Sequence, residues 1–113
     1  TLVKLWVPNT VKSIETWAFA ECSNLEEVVC EDRGGGPGLS LGLMAFAACP
    51  MLKRAVLPTR LCAVGNGAFR DDPSLTDFVV PSDHYPLLER TYHVFDKCPM
   101  AEAKLAMLWH PPT

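Results

Sequence analysis

Five cysteines, at positions 22, 30, 49, 62 and 98, are the side chains in this 113-residue chain best suited to chemistry, as metal ligands, disulfide partners or nucleophiles. Thiolate metal sites ordinarily announce themselves with a C-x-x-C pair, and the sequence has none. Cys22, Cys49 and Cys98 instead each fall three residues after a phenylalanine, at Phe19, Phe46 and Phe95. Their spacing is that of a repeat rather than of a coordination sphere. It predicts stacked, reduced thiols with a structural role, a disulfide between Cys22 and Cys49 on adjacent repeats and a bound metal being the alternatives. Cys30 falls on an inward strand position, whereas Cys62 aligns with Lys12 and is expected to face water.

Other candidates for chemistry are weaker. "GGGPG", residues 34–38, lacks the Lys and the Ser or Thr that a phosphate-cradling loop needs after its glycines, and reads as a surface insertion. His84, His93 and His110 are scattered, the first two in an insertion of the last repeat and the third beyond it. Asp83 and His84 could be set beside Cys62 or Ser82 as a nucleophilic constellation, but no spacing supports it. No catalytic, cofactor-binding or metal-binding residue is assigned, and the chain is read as not an enzyme.

Composition narrows the partners. Apolar residues make up 49% of the chain, enough for a core, and 10 basic against 13 acidic residues give a net charge of -3 without a Lys or Arg cluster. That excludes the electrostatic footprint of a nucleic-acid or anionic-lipid binder. The longest apolar run, "LSLGLMAFAACPML" at 39–52, is interrupted by Ser, Gly and Pro and is too short for a transmembrane segment. The chain opens at Thr1 with no charged-then-apolar signal, which fits a processed product or a piece of a longer protein and leaves localisation open.

The elements that position these residues come from internal repetition. "LVKLWVPNTVKSIETWAFAECSNL" from Leu2 and "LKRAVLPTRLCAVGNGAFRDDPSL" from Leu52 share a period of 23, with Pro8 over Pro58, Val11 over Leu61, Ile14 over Val64 and Ala18-Phe19 over Ala68-Phe69. The copy from Leu25 carries four extra residues around the Gly-rich stretch, and that from Leu75 three extra before Val94-Phe95. The repeats run at about 2–24, 25–51, 52–74 and 75–98 in a single domain, 1–113. Each reads as a strand (Leu, two variable, apolar, variable, apolar, often Pro), an irregular turn, then Ala-Phe, two variable residues and Cys or Asp.

"WAFAECSNLEEV", "MAFAACPMLKRAVLP", "GAFRDDPSLTDFVVP" and "VFDKCP" resemble the BspA-like leucine-rich repeats, found in bacterial surface proteins and many protist proteins. The resemblance covers about residues 2–100 and is weakest in the fourth repeat, where Arg90 takes the slot of Ile14, Leu41 and Val64. It implies a leucine-rich-repeat solenoid with one short parallel strand per 23–27-residue coil and short turns or helical pieces, closed by a C-terminal helix. It also implies a binding or adhesive surface, and the family offers no shared catalytic residues.

A single coil cannot enclose its own apolar residues, so Leu25, Val28, Cys30, Leu41, Ala45 and Phe46 are expected to be buried only by coils on both sides. "PMAEAKLAMLWHPP" does not restart the strand pattern and predicts a capping helix over about 99–110, with Pro99 at its start, Ala101, Leu105, Leu108 and Trp109 on one face and Pro111 as its stop. At the other end Leu2 to Val7 reads as a strand with a bare edge, predicting either preceding repeats or a neighbouring chain that caps the first coil.

Side chains two and four positions after each repeat leucine point outward. The first row is Lys4, Glu27, Arg54 and Asp77, alternating in sign and able to form a cross-strand charge ladder. The second, Trp6, Val29, Val56 and Val79, is an exposed apolar stripe beside it. Strand propensity alone accounts for valines, but a Trp-headed stripe is also what a protein-binding surface shows. The sequence therefore predicts a non-catalytic protein-interaction module or scaffolding subunit that binds another protein through these eight residues and the uncapped N-terminal edge, without cofactor. An adhesive surface domain cut from a longer repeat protein is the alternative.

Overall fold

The computed structural model describes residues 3–33, 35–91 and 93–109, the side chains at 82, 89 and 90 excepted. Thr1, Leu2, His110 and Pro111, together with the side chains of Ser82 and Arg90, lie outside the described residues. Four strands, β1 (Lys4–Val7), β3 (Glu27–Cys30), β5 (Arg54–Val56) and β7 (Asp77–Val79), form a parallel sheet in the order β1-β3-β5-β7. Its register pairs Lys4 with Glu27, Glu27 with Arg54 and Arg54 with Asp77. The chain is thus a parallel solenoid with one such strand per repeat.

The connection expected as an irregular turn is more ordered than that. In the first three coils it carries a second short strand, β2 (Ser13–Ile14), β4 (Leu39–Leu41) and β6 (Leu61–Val64), which build a second parallel sheet in the order β2-β4-β6. Ile14, Leu41 and Val64 align there, the first two buried and Val64 packed against the core. Opposite Leu39 and Ser40 the register slips by one residue, and Cys62 is the extra one. In the fourth coil the second strand is replaced by a 3₁₀ turn, Ser82–His84, and a short helix, α1 (Tyr85–Arg90), with Pro86 in its first turn.

The Ala-Phe corner is a pair of turns in every coil. The residues two before and two after each phenylalanine are left-handed: Trp17, Met44, Gly67 and His93 on one side, Glu21, Ala48, Asp71 and Lys97 on the other. Each corner hydrogen-bonds to the next. Phe19 N–H donates to Ala45 O at 2.8 Å, Phe46 N–H to Ala68 O at 2.8 Å and Phe69 N–H to Val94 O at 3.0 Å. A third ladder therefore runs the length of the stack, and it satisfies polar backbone that a buried corner would otherwise strand.

Side chains inside these ladders make one core, including Leu25, Val28, Leu39, Phe46, Leu52, Ala55, Phe69, Leu75, Phe78 and Leu88. The four repeat phenylalanines stack in a column, with ring centroids at 5.5 Å for Phe19 and Phe46, 5.5 Å for Phe46 and Phe69 and 5.9 Å for Phe69 and Phe95. Backbones approach most closely just before the corner. A Cβ on Gly65 would lie 2.5 Å from the backbone of Gly42 and Leu43, and one on Gly42 would lie 2.5 Å from Thr16 N. Only glycine allows coils to close up there. The equivalent residue of the first coil is the exposed Glu15.

The stack is covered at its C-terminal end by α2 (Pro99–Leu108), which begins at the predicted proline. Ala101 is buried and Leu105 packs on the core, as expected, but Leu108 turns outward and is 47% exposed. The helix is also held by Lys104, whose Nζ donates to Phe78 O at 2.9 Å and sits 5.0 Å from the centre of the Phe78 ring. At the N-terminal end Leu5, Val11, Phe19 and Cys22 are only partly buried, while Val28, Phe46 and Cys49 one coil on are fully so.

Candidate binding surface

The outer face of the four-stranded sheet brings all eight predicted residues together. Cross-strand register places Trp6 beside Val29, Val29 beside Val56 and Val56 beside Val79. Trp6 is 54% and Val79 42% exposed, with Val29 and Val56 partly covered between them. The inward residues Val28, Ala55 and Phe78 separate this stripe from the charged row, as strand alternation requires.

The charged row is a continuous ladder. Lys4 Nζ lies 3.5 Å from Glu27 Oε1, Arg54 Nη1 donates to Glu27 Oε2 at 2.9 Å, and Arg54 Nε donates to Asp77 Oδ2 at 3.0 Å. A fifth rung comes from outside the sheet: Lys104 of α2 donates to Asp77 Oδ1 at 2.9 Å. Every interior rung has an opposite charge on both sides. Arg54's hydrogen bond, with Lys4 adding to it, holds the Glu27 carboxyl below its ordinary value, and Lys104 foremost, then Arg54, does the same for Asp77. Arg54 is in turn held more firmly charged, by Glu27 first and Asp77 next. Beside this row Lys53 and Glu26 make a further pair at 3.6 Å. The ladder is electrostatically satisfied within the chain, so it sets register, while the unsatisfied surface next to it is apolar.

That apolar surface continues around the N-terminal edge. A cleft of about 280 Å³ opens between β1 and β2, lined among others by Leu5, Trp6, Val11, Ile14 and Phe19. Among the described residues both strands are edges of their sheets.

In the connections that follow the strands of the four-stranded sheet, long side chains tie loops together. Asp32 accepts hydrogen bonds from Thr59 N–H at 3.0 Å and Thr59 Oγ1 at 2.8 Å, and Glu31 accepts one from Asn9 N–H at 2.8 Å. Arg60 donates from Nη1 to Val11 O and to Pro37 O, the latter at 3.1 Å, and from Nη2 to Pro8 O at 2.9 Å. Nothing in the repeat pattern points to Arg60 or to Lys104, because both act on partners outside their own column.

The residues considered for chemistry are dispersed. His84 Nε2 is 2.8 Å from Thr59 O, and His93, in its left-handed corner position, lies 3.6 Å from Asp96. All five cysteines are free thiols, and no group of three or more potential ligands able to hold a metal occurs among the described residues. Cys30, Cys49 and Cys98 are buried, and Cys62 is exposed as expected. Burial pushes the Cys30 thiol up to about 11 and those of Cys49 and Cys98 up to about 12. Since the thiolate is the reactive form, a thiol reagent added to the native protein is expected to modify Cys62 first, with Cys30 protected until unfolding. Mass spectrometry of briefly labelled protein checks this; rapid native modification of Cys30, or zinc in the purified protein, would overturn the structural role given to these thiols.

No helix among the described residues is long and apolar enough to cross a membrane. Comparison with curated proteins and with solved structures returned no match. The family model for a BspA type leucine rich repeat region of six copies, however, matches residues 1–107. With the parallel sheet, the phenylalanine column and the corner turns all repeating on the matched stretch, the chain belongs to the BspA type leucine-rich-repeat family.

Proposed function

We propose that this domain is a non-catalytic protein-interaction module that serves as a scaffolding or assembly subunit, binding through Trp6, Val29, Val56 and Val79 and the open N-terminal edge beside them. The observation that carries this reading is the contrast between the two outward rows. The charged row of Lys4, Glu27, Arg54 and Asp77 is already paired along its length, whereas the Trp-headed row and the adjoining cleft present apolar surface. Aromatic anchors at such places dominate protein contacts, and an extended partner segment can satisfy a free strand edge. Glu15 bears on which partner caps the first coil. It stands where Gly42 and Gly65 let coils close up, so another coil stacked in the same register meets its Cβ; a partner with a different backbone path fits better. The division into repeats at about 2–24, 25–51, 52–74 and 75–98 remains part of this proposal.

Val56→Glu is the test. Position 56 is mid-stripe and outward, so the change is expected to abolish partner binding in quantitative co-purification while costing about 1 kcal/mol of stability or less. Unchanged binding by the folded variant rejects the stripe as the contact surface.

A further inference from the structure

One buried acid is left without a role by the interaction surface. The residues three positions after the repeat phenylalanines form a column, Cys22, Cys49, Asp72 and Cys98. Two of its thiols do the same thing. Cys49 Sγ donates to Phe19 O of the preceding coil at 3.3 Å, and Cys98 Sγ donates to Phe69 O at 2.8 Å. Asp72 holds the place between them with 0% of its surface exposed. Its Oδ1 accepts the Cys49 N–H at 2.7 Å and its own N–H donates to Cys98 Sγ at 3.4 Å, but its Oδ2 is buried with no hydrogen-bond partner.

The repeat says what Oδ2 should meet. Phe46 O stands to Asp72 as Phe19 O stands to Cys49 and Phe69 O to Cys98, and a carbonyl oxygen needs a donor. An ionised carboxylate has none to offer; a protonated one does. We propose that Asp72 is held as a neutral acid that donates its proton to the Phe46 carbonyl oxygen, replacing the cysteine thiol of its column and making the junction between the second and third coils pH-sensitive.

The surroundings favour the neutral form. Burial pushes the carboxyl up to about 8, opposed by the Cys49 N–H and assisted by the neighbouring Asp71. The other titratable or charged groups on the packed segments are the thiols of Cys49 and Cys98, His93, Asp96 and Lys97 on the fourth corner and Glu102 on α2. Arg70, on its own corner, is paired with Asp96 at 3.3 Å. An acid whose proton is bound more tightly in the folded than in the unfolded chain contributes fully below the unfolded value, near 3.8, and loses that contribution as pH rises through the folded value near 8. The junction is therefore tightest in acid, within the range where the Glu27 and Asp77 rungs remain charged.

Urea unfolding of the wild type, Asp72→Asn and Asp72→Cys between pH 5 and pH 7 tests this. The Asn amide and the Cys thiol can both donate to Phe46 O without titrating in that window. Relative to either variant, the wild-type folding constant is expected to fall by about tenfold per pH unit. Groups outside position 72 are common to all three proteins, so the comparison isolates Asp72. Infrared difference spectra supply a readout that does not depend on variant stability: folded wild type at pH 6 should show the carbonyl band of a protonated carboxylic acid buried from exchange. A wild-type pH slope equal to that of the variants, or the absence of that band, overturns the proposal.

Discussion

Phe69→Ala is expected to lower the unfolding free energy by about 3–5 kcal/mol, close to the upper end for a single truncation. Phe69 is fully buried, lies between Phe46 at 5.5 Å and Phe95 at 5.9 Å, and sits in a coil with a coil on either side. Removing the ring takes away its own burial and the stacking of both neighbours. The hole then has little means of collapsing, since the spacing between coils is fixed by both sheets on the Phe46 side, by the four-stranded sheet on the Phe95 side, and by the corner hydrogen bonds from Phe46 N–H to Ala68 O and from Phe69 N–H to Val94 O. Phe19→Ala provides the internal contrast. That ring is stacked on one side only and is partly exposed, so its loss should cost clearly less. Denaturant melts of the two variants check both values, and a loss below about 1 kcal/mol for Phe69→Ala would contradict the packed column.

What the sequence made legible is whatever repeats in register. The alternation of Lys4, Glu27, Arg54 and Asp77 could be read directly because in-register parallel strands convert a repeat alignment into a row of neighbours, and the structure pairs those residues as aligned. The same logic placed Trp6, Val29, Val56 and Val79 side by side and put Cys30 inside and Cys62 outside. The second sheet escaped because its row does not repeat in register: it slips by one residue at Cys62 and gives way to a helix in the fourth coil. Its inward residues Ile14, Leu41 and Val64 were visible as a repeating slot, but a slot does not by itself reveal backbone pairing.

Departures from the repeat were the hardest to read. Lys104 lies in a stretch that reads only as a capping helix, yet it supplies the fifth charge of the ladder from a helix whose docking angle no column alignment encodes. Leu108 shares the helical spacing of Ala101 and Leu105 and still faces water, while Lys104 anchors α2 to Asp77 and Phe78. Asp72 looked interchangeable with cysteine. The equivalence holds for position and shape, and the difference in acidity emerges only once burial is known.

Arg60 is the other departure with a large expected effect. Its guanidinium donates to Pro8 O and Val11 O in the first coil and to Pro37 O in the Gly-rich connection of the second, while its own backbone belongs to the third. One planar group thus ties three coils, through carbonyl groups that sequence cannot show to be acceptors. Hydrogen bonds with a charged donor contribute about 1.5–3 kcal/mol each when partly shielded, and water can replace some of them here, so Arg60→Ala is expected to cost about 2–4 kcal/mol. Arg60→Lys should recover less than half of that, since a compact ammonium cannot reach three carbonyls with the geometry of the fork. The carbonyls carry no net charge, so the loss should persist in high salt, unlike a loss from the exposed Arg54 pairs. Limited proteolysis adds a local readout: cleavage within residues 34–38 should accelerate in both variants if Arg60 holds that connection against the stack. Stability of Arg60→Ala within about 0.5 kcal/mol of the wild type, with unchanged cleavage, would show that the three coils are clasped by their ladders alone.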